Sequence, residues 1–462
     1  INKSTHQRIN ASTHQHINAS THKHINKSTH QQINASTHKQ INTSTHQHIN
    51  TSTNQHINTS TNQHINASTH QHINTSTHQQ VINNYSNTID FIKSQFKTED
   101  FIPLHVPHFG GNEKKYLMET IDSTFVSSVG AFVDQFEGMM QDITSAKKGI
   151  AVVNGTAGLQ VALRLAGVGS GDEVLTQGLT FVATANAIAY NNAHPVFLDV
   201  DLDTMGLSPK AVEDFLDENA EMRDGVCINK KTNRKISACM PMHTFGFPVH
   251  IDELLAVCNK WKIPVVEDAA ESLGSFYKGK HTGTFGKLGA FSFNGNKVVT
   301  SGGGGAIITN DEEIGAKAKY LTTTAKKPHP YEFYHDELGY NYRMPNLNAA
   351  LACAQLEQLD KLLVNKRQLA LEYASFFVTQ GINFRQELED TKANYWLMCV
   401  ELENKNDRDL FLKYSNENNV MSRPIWQLMH RLPMYEHCQR DVQKNALFLE
   451  ERIVNIPSSA RF

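Results

Sequence analysis

Short apolar and β-branched runs alternate along the chain with segments whose apolar residues repeat at helical spacing. Between the first two runs, Leu159, Ala162, Leu163 and Ala166 stand at i, i+3, i+4 and i+7, on one face of a helix. Apolar strands separated by helices indicate a mostly parallel sheet that is covered on both sides, and therefore an α/β fold. The predicted strands are GIAVV (149–153), EVLTQ (173–177), PVFLDV (195–200), SACMP (237–241), IPVVED (263–268), GAFSF (289–293) and GAIIT (305–309).

The pattern changes near residue 345. A long helical pattern runs from Asn346 to about Thr379, and an alternating strand pattern follows in NYWLMCVEL (394–402). We predict a large α/β domain over residues 88–345, with an N-terminal arm, and a small C-terminal α+β domain over residues 346–462. The organised part of the chain, about 380 residues, is long enough for one large core and a smaller domain.

Residues 1–80 consist of ten tandem octapeptides such as INASTHQH. One Ile in eight residues provides too little apolar surface to bury a face, so we predict that this tail is disordered. Its recurring His residues suggest the alternative of a metal-binding tract, and its Asn and Gln content suggests strand stacking. Flexible His tracts bind metals weakly because they lack a fixed geometry, and we predict no metal site.

Charge and cysteine content exclude several classes of protein. The octapeptides contain fourteen of the 24 His residues, five Lys or Arg and no acid, which leaves residues 81–462 with 38 basic and 46 acidic residues, a formal charge of −8. An acidic body without a basic block gives no support to nucleic-acid binding. Six cysteines without C-x-x-C spacing indicate buried or free thiols in a reducing compartment. No run of 18 apolar residues and no signal segment occur, so we expect a cytoplasmic protein without a membrane partner.

Three polar features follow predicted strands, at the sheet edge where ligands of parallel sheets bind. NGTAGL (154–159) is a turn that opens a helix, and the free N–H groups of a helix N-terminus suit a phosphate. Asp268 ends a strand that should be buried on both faces, so it needs a cationic partner. Lys297 follows GAFSF and precedes four consecutive glycines, which either allow close backbone approach or form a plain turn.

One ligand suits all three features. Pyridoxal phosphate has a phosphate for the helix N-terminus, a pyridinium nitrogen for the buried carboxylate and an aldehyde for the lysine amine. A Walker loop would need glycines before the lysine, and a dinucleotide fold would need G-x-G-x-x-G after the first strand. The spacing therefore favours a pyridoxal enzyme, with a surface lysine beside an ordinary turn as the alternative.

Over about residues 101–459 the sequence resembles the DegT/DnrJ/StrS family of sugar aminotransferases, which has fold type I of the aspartate aminotransferase superfamily. The resemblance rests on NGTAGLQVAL, GDEVLTQGLTFVATANAI, PVFLDVDLDTMGLSP, PMHTFGFP, VVEDAAESLGS, GTFGKLGAFSFNGNK and LGYNYRMPNLNAAL, in that order. The segments VSSVG, PMHTFGFP, LTTTAKKPHPYE and RPIWQLM are further similar to the LegC branch. That branch aminates the 4-keto group of a UDP-linked 2-acetamido-2,6-dideoxy sugar, with L-glutamate as donor, for legionaminic-type acids and surface polysaccharide such as lipopolysaccharide.

The resemblance implies roles for the matching residues. Lys297 would bind the cofactor covalently and move a proton between cofactor and sugar, and Asp268 would keep the pyridinium nitrogen protonated. Phe181 would lie against the ring. Glu271 stands where many relatives have Gln or His, and as an acid near the cofactor's phenolic oxygen it would have to share a proton. The implied phosphate ligands are Gly155, Thr156, Ala157, Ser292 and, from a neighbouring subunit, Asn341, which implies a homodimer with shared active sites.

Other residues are substrate candidates with ordinary alternatives. A His at a strand end is usually just hydrogen-bonded, and the other candidates could belong to a surface loop or an interface salt bridge. The candidates are His243, His329, Tyr331, Arg343 and Arg423. For the whole protein two alternatives stay open: an aminotransferase of another keto sugar nucleotide, and a non-catalytic protein of the same fold with a His-rich metal-binding tail.

The first testable prediction separates the octapeptides from the rest of the chain. A protein that begins at Thr88 should keep the cofactor, the oligomeric state and full activity, because the octapeptides contain none of the matched motif residues. Cofactor absorbance, size-exclusion chromatography and turnover of the two proteins check this. Loss of activity that neither zinc nor nickel restores would contradict it.

Overall fold

The computed structural model describes residues 85–127 and 130–462, so the predictions for the octapeptide tail lie outside the described residues. Thr88–Phe462 forms one compact unit, which begins where the sequence pattern places the start of the organised chain. The division of this unit near residue 345 stays a prediction. The helices are α1 (85–96), α2 (Glu113–Asp122), α3 (Ala131–Thr144), α4 (Gly155–Ala166), α5 (Val182–Ala189), α6 (Pro209–Asn219), α7 (Ile251–Lys260), α8 (Glu312–Thr322), α9 (Asn346–Leu356), α10 (Leu359–Gln380), α11 (Lys405–Glu417) and α12 (Lys444–Glu450).

The strands follow the predicted runs closely in the first half of the chain. They are β1 (Lys148–Val152), β2 (Glu173–Gln177), β3 (His194–Leu198), β4 (Ala220–Arg223), β5 (Val226–Asn229), β6 (Ile236–Met240), β7 (Val266–Asp268), β8 (Phe276–Tyr277), β9 (Lys280–His281), β10 (Leu288–Ser292), β11 (Gly305–Thr309), β12 (Asn383–Phe384), β13 (Thr391–Lys392), β14 (Met398–Glu401), β15 (Arg423–Pro424) and β16 (Ile453–Ile456). Each of the seven runs predicted from the sequence overlaps one of these strands, and no strand begins more than three residues from the start of its run.

Seven strands form the central sheet in the order β1–β11–β10–β7–β6–β2–β3. Regular ladders form its two halves, and parallel bridges such as Met242 with Asp268 join β6 to β7. All neighbours are parallel except β11, which pairs antiparallel with both β1 and β10. The prediction of a mostly parallel sheet is confirmed.

Helices cover both faces of this sheet. Val174 and Leu175 are neighbours on β2, yet they belong to two different buried clusters because side chains alternate between the faces of a strand. The first cluster includes residues of α4, α5 and α8, and the second includes residues of α6 and α7. Both faces of the sheet are therefore buried from solvent, and polar groups can reach solvent chiefly at the strand ends.

A second, antiparallel sheet lies in the C-terminal part, with strand order β12–β14–β16–β15. Helix α10 packs against β12, and α11 packs against β15 and β16. Helix α9 packs instead on α2 and α3, which belong to the N-terminal arm, the part of the unit that precedes β1. The predicted α+β character of the C-terminal region is present, while its first helix contacts the arm.

The single long helix predicted over 346–379 is wrong, because the chain forms α9 and α10 with a break at Glu357 and Gln358. At this break, Glu357 accepts hydrogen bonds from Asn112 and Tyr116, and Gln358 donates to Glu113. The side chains of Glu357 and Gln358 thus bind the arm, whereas a continuous helix would direct them elsewhere.

The predicted strand over 394–402 is shorter than expected and covers Met398–Glu401. Tyr395 has a positive φ of 51°, and the N–H of Trp396 donates to the side chain of Asn394, so this stretch leaves the extended conformation. All six cysteines are buried and free. Among the described residues, no helix has both the length and the apolar character to cross a bilayer.

Candidate active site

A cavity of about 670 Å³ opens at the carboxyl ends of β1, β7 and β10, a size typical of small-molecule sites. The structure brings together at this cavity most of the residues proposed from the sequence, although they come from distant parts of the chain. The proposed residues that line it are Gly155, Thr156, Phe181, Asp268, Glu271, Ser292, Lys297 and Arg423.

One end of the cavity is the N-terminus of α4. The helix begins at Gly155 because the side chain of Asn154 caps it, accepting the N–H of Ala157 at 2.8 Å. A Cβ on Gly155 would come within 2.9 Å of the Ser292 Cβ, so glycine allows β10 to approach the helix start. The first N–H groups of a helix have no intrahelical acceptor and carry a partial positive charge, which makes this end an anion site. The N–H of Ala157 donates to the cap, and its predicted phosphate contact stays a prediction.

The four glycines after Lys297 show both features expected from the sequence, a turn and a close approach of the backbone. Gly302 has a φ of 76° and forms a turn. A Cβ on Gly305 would lie 2.5 Å from the backbone of Asn154, so that glycine is needed for close approach of β11 to the helix start. The last glycine therefore helps to shape the anion site.

Asp268 ends β7 and is almost completely buried. Thr184 Oγ1 donates to Oδ2 at 2.7 Å, and the N–H of Ala270 donates to Oδ1 at 3.2 Å. Burial raises the pKa of Asp268, and these two donors together with the nearby Lys297 offset the rise in part. Two neutral donors compensate a buried charge incompletely, so a cationic nitrogen in the cavity would stabilise the carboxylate.

The amine of Lys297 lies deep in the same cavity. Its Nζ is 3.3 Å from Oε1 of Glu271 and 3.7 Å from the centroid of the Trp396 ring. Glu271 is buried, and its Oε2 accepts the N–H of Phe245 at 2.9 Å. Burial raises the pKa of Glu271 to about 7 even though Lys297 and the Phe245 N–H favour the charged form. The Glu271 carboxyl group therefore titrates near neutral pH while it lies within hydrogen-bond distance of the Lys297 amine.

This donor set fits pyridoxal phosphate. When bound, the cofactor supplies an aldehyde that reacts with amines and a ring that accepts electron density from the adjacent carbon. The start of α4 with Ser292 would hold its phosphate, and Asp268 would hold a positive charge on the ring nitrogen. Phe181, which is half exposed to the cavity, would cover the ring. Lys297 provides the amine, and Glu271 accepts its hydrogen bond.

His243 does not reach the cavity, which corrects the prediction that it could contact substrate. The side chain is fully buried: its Nδ1 accepts the N–H of Val249, and its Nε2 lies 3.0 Å from Glu267 Oε2. Because Nδ1 accepts, Nε2 carries the hydrogen and donates it to Glu267. His243 therefore fits the alternative given in the sequence analysis: it is a strand-end histidine that is hydrogen-bonded inside the protein.

Four other candidates also lie away from this cavity. Tyr331 is 80% exposed, and His329 stands in the same surface loop, where its ring accepts the N–H of Glu332. Asn341 is exposed and accepts the Nε–H of Arg343 at 3.1 Å. None of the four lines the described cavity, so a role for them in catalysis would require a neighbouring subunit.

Residues that the sequence did not single out complete the site. Thr184 bonds the buried acid, and Trp396 and Trp426 supply aromatic walls. Trp426 lies in RPIWQLM, and its ring centroid is 6.3 Å from that of Phe181. The sequence pattern assigns Trp396 to a strand, where alternation would place it in a core. The signal available was polar Asn394, two residues before Trp396 at the start of a mostly apolar run.

Comparisons with known proteins agree with this geometry. The profile of the DegT/DnrJ/EryC1/StrS aminotransferase family matches residues 107–462. EpsN of Bacillus subtilis (strain 168), named as a pyridoxal phosphate-dependent aminotransferase, is 37% identical over 336 residues, which cover 72% of this chain and 84% of EpsN. A GDP-perosamine synthase of Vibrio cholerae is 35% identical over 363 residues, covering 77% of this chain and 94% of that protein. The solved structure of Helicobacter pylori PseC, an aminotransferase involved in the biosynthesis of pseudoaminic acid, aligns with a TM-score of 0.71 at 22% identity over 78% of this chain and 94% of PseC, a likeness of fold.

The second testable prediction concerns Asp268. Asp268→Asn keeps the size of the side chain but removes the charge opposite the ring nitrogen, so the reaction with the amine donor should slow by about 100- to 1,000-fold. Stopped-flow absorbance after mixing cofactor-loaded protein with L-glutamate measures this rate. Asp203→Asn, which alters a carboxylate outside the cavity, is the matched control and should react at the wild-type rate. Equal rates for the two variants would show that Asp268 is structural.

Proposed function

This chain belongs to the DegT/DnrJ/EryC1/StrS aminotransferase family, and from that premise we propose that it transfers the amine of L-glutamate to C4 of a 4-keto-6-deoxy sugar nucleotide, with its cofactor anchored on Lys297. It is a pyridoxal phosphate-dependent enzyme of fold type I, as its relatives are. Family membership leaves the alternative of a non-catalytic protein without support. The observation that carries the proposal is the single cavity that contains the Lys297 amine, buried Asp268 and the start of α4.

The proposed acceptor is UDP-2-acetamido-2,6-dideoxy-4-keto-hexose. The segment RPIWQLM, which is similar to the LegC branch, contributes Arg423, Trp426 and Gln427 to the cavity wall, so this branch signal lies where a substrate would bind. Arg423 is exposed, and its Nη1 donates to the carbonyl of Ser422 and to Asn416, which leaves its other donors for a carboxylate or phosphate. The product would enter the synthesis of legionaminic-type acids and surface glycans.

A second acceptor is favoured by a separate observation. Relatives 33–35% identical to this chain are named GDP-perosamine synthases, which suggests a GDP-linked 4-keto-6-deoxymannose. Both acceptors carry the keto group at C4 and lack a 6-hydroxyl group. They differ in the nucleotide and in the acetamido arm, and polar groups that hydrogen-bond such an arm discriminate strongly because they are left unpaired by the wrong sugar.

The third testable prediction distinguishes these acceptors. Protein converted to its pyridoxamine form with L-glutamate is mixed separately with the UDP-acetamido sugar, the GDP-linked sugar and a deoxythymidine-linked 4-keto-6-deoxyglucose. The UDP-acetamido sugar should restore the starting absorbance in one turnover, at least tenfold faster than the others. Lys297→Ala, loaded directly with pyridoxamine 5′-phosphate as the control, should restore none. If the GDP-linked sugar reacts fastest, the legionaminic assignment is wrong and the aminotransferase assignment stands.

We also propose that the active protein is a homodimer. Asn341 is exposed and outside its own cavity, so the phosphate contact implied by its motif has to be made in a second subunit. The arm also exposes apolar residues of a kind that a monomer would ordinarily bury. These are Phe101, Phe109, Met118, Ile121 and Phe125.

The fourth testable prediction concerns this shared site. Lys297→Ala and Asn341→Asp should each be inactive, the second because a carboxylate repels the phosphate. A mixed dimer, isolated by two different affinity tags, should regain about half of the wild-type activity, because one of its two sites combines an intact Lys297 with an intact Asn341. No recovery in the isolated mixed dimer would contradict a site shared across the dimer.

A further inference from the structure

We propose that Trp396 and Glu271 form a resting site for the Lys297 amine while that amine is not linked to the cofactor, with Trp396 acting as a positioning residue. This inference rests on the proposed role of Lys297 as the anchor. It concerns the half of the catalytic cycle in which the lysine is free.

The contacts of the amine define the resting site. Lys297 Nζ lies 3.7 Å from the centroid of the Trp396 ring and 3.3 Å from Glu271 Oε1. The electron-rich face of an indole attracts a cation, and a buried carboxylate does so more strongly. The Lys297 side chain is only 13% exposed, so water competes weakly with both contacts. The amine is therefore held in one place at the wall of the cavity.

Trp396 is fixed by three hydrogen bonds. Its backbone N–H donates to Asn394 Oδ1 at 2.8 Å, its Nε1–H donates to the carbonyl of Asn296 at 2.6 Å, and its carbonyl accepts from Lys366 Nζ at 3.2 Å. Lys366 is completely buried, and burial lowers its pKa to about 7. Asn296 precedes Lys297 directly, so the indole is tied to the backbone that carries the lysine.

The carboxylate half is tied to the same unit. Asn394 Nδ2 donates to the carbonyls of Glu271 and Leu273, at 2.8 and 2.9 Å. The opposite oxygen of Glu271 accepts the N–H of Phe245, a buried residue held at a positive φ of 56°. A non-glycine residue in that conformation is strained, and its N–H is thereby directed at the carboxylate. Asn394 thus links the two halves of the resting site.

The arrangement also places a titratable carboxyl group beside the amine. Glu271 is faced by Lys297 and Asp268, and burial raises its pKa to about 7. Glu271 can therefore take up or release a proton 3.3 Å from the amine. A free lysine that is held close by avoids a search before it reacts again.

The fifth testable prediction measures the environment of the free amine. The full chain, loaded with pyridoxamine 5′-phosphate, receives a short pulse of isotope-coded acetic anhydride at pH 7 or pH 10, and mass spectrometry quantifies acetylation of the Lys297 peptide. Trp396→Leu removes the ring face, so labelling at pH 7 should rise about three- to tenfold, while labelling at pH 10, where a far larger fraction of an ordinary lysine amine is uncharged than at pH 7, should change less. Trp396→Phe keeps a ring face and should stay within about twofold of wild type.

Trp426→Leu is the matched control for labelling, because it also removes an indole from this cavity. The ring of Trp426 contacts Phe181 and Phe245. Equal labelling in Trp396→Leu and Trp426→Leu, or an equal rise at both pH values, would overturn the resting site, since the latter would indicate easier access alone. The proposed function is tested separately by borohydride reduction of the pyridoxal phosphate-loaded protein. Attachment of the cofactor to another lysine would overturn the anchor and the resting site together, whereas attachment to Lys297 with unchanged labelling would overturn the resting site alone.

Discussion

The structure around the cavity depends on the compensation of three buried carboxylates in five residues, Glu267, Asp268 and Glu271. Glu267 accepts bonds from the N–H groups of residues 283, 285 and 286 and from His243. Burial opposes its ionisation, but these bonds bring the pKa of Glu267 below its ordinary value. Asp268 and Glu271 receive fewer donors, and burial raises the pKa of both. The carboxylate of Glu267 is therefore fully hydrogen-bonded within the fold, whereas the charge of Asp268 and Glu271 depends on what occupies the cavity.

This distribution explains how one short segment combines structure with chemistry. The carboxylate of Glu267 closes the 283–286 turn onto β7, so the strand that carries Asp268 is fixed from behind. A rigid support allows Asp268 to remain incompletely compensated, since an unpaired buried charge otherwise favours rearrangement. His243, which looked like a substrate ligand in the sequence, belongs to this support.

Much of the fold could be predicted from the sequence because the central strands are buried on both faces and read as apolar runs between amphipathic helices. The strand order and the antiparallel direction of β11 could not be read in this way, since periodicity reports the environment of a strand and not its neighbours. The break between α9 and α10 was missed because Glu357 and Gln358 are good helix formers, and their bonds to the arm override that propensity. Tyr395 at positive φ likewise ends a strand pattern that local alternation continues.

The candidate site shows the same limit at the level of single residues. Gly155, Asp268 and Lys297 were found because each follows a strand, and the carboxyl ends of parallel strands meet at one edge. Trp396 and Trp426 come from the C-terminal region, where no rule of strand ends places them, and only the folded chain brings them to the lysine and to Phe181. The large sheet thus supplies the groups that match a cofactor, while the C-terminal region supplies the aromatic walls. Because Asn394 bonds the Glu271 loop directly, a change in the C-terminal segment that alters the sugar pocket would also alter the surroundings of the lysine, and the two parts of the site are constrained to vary together.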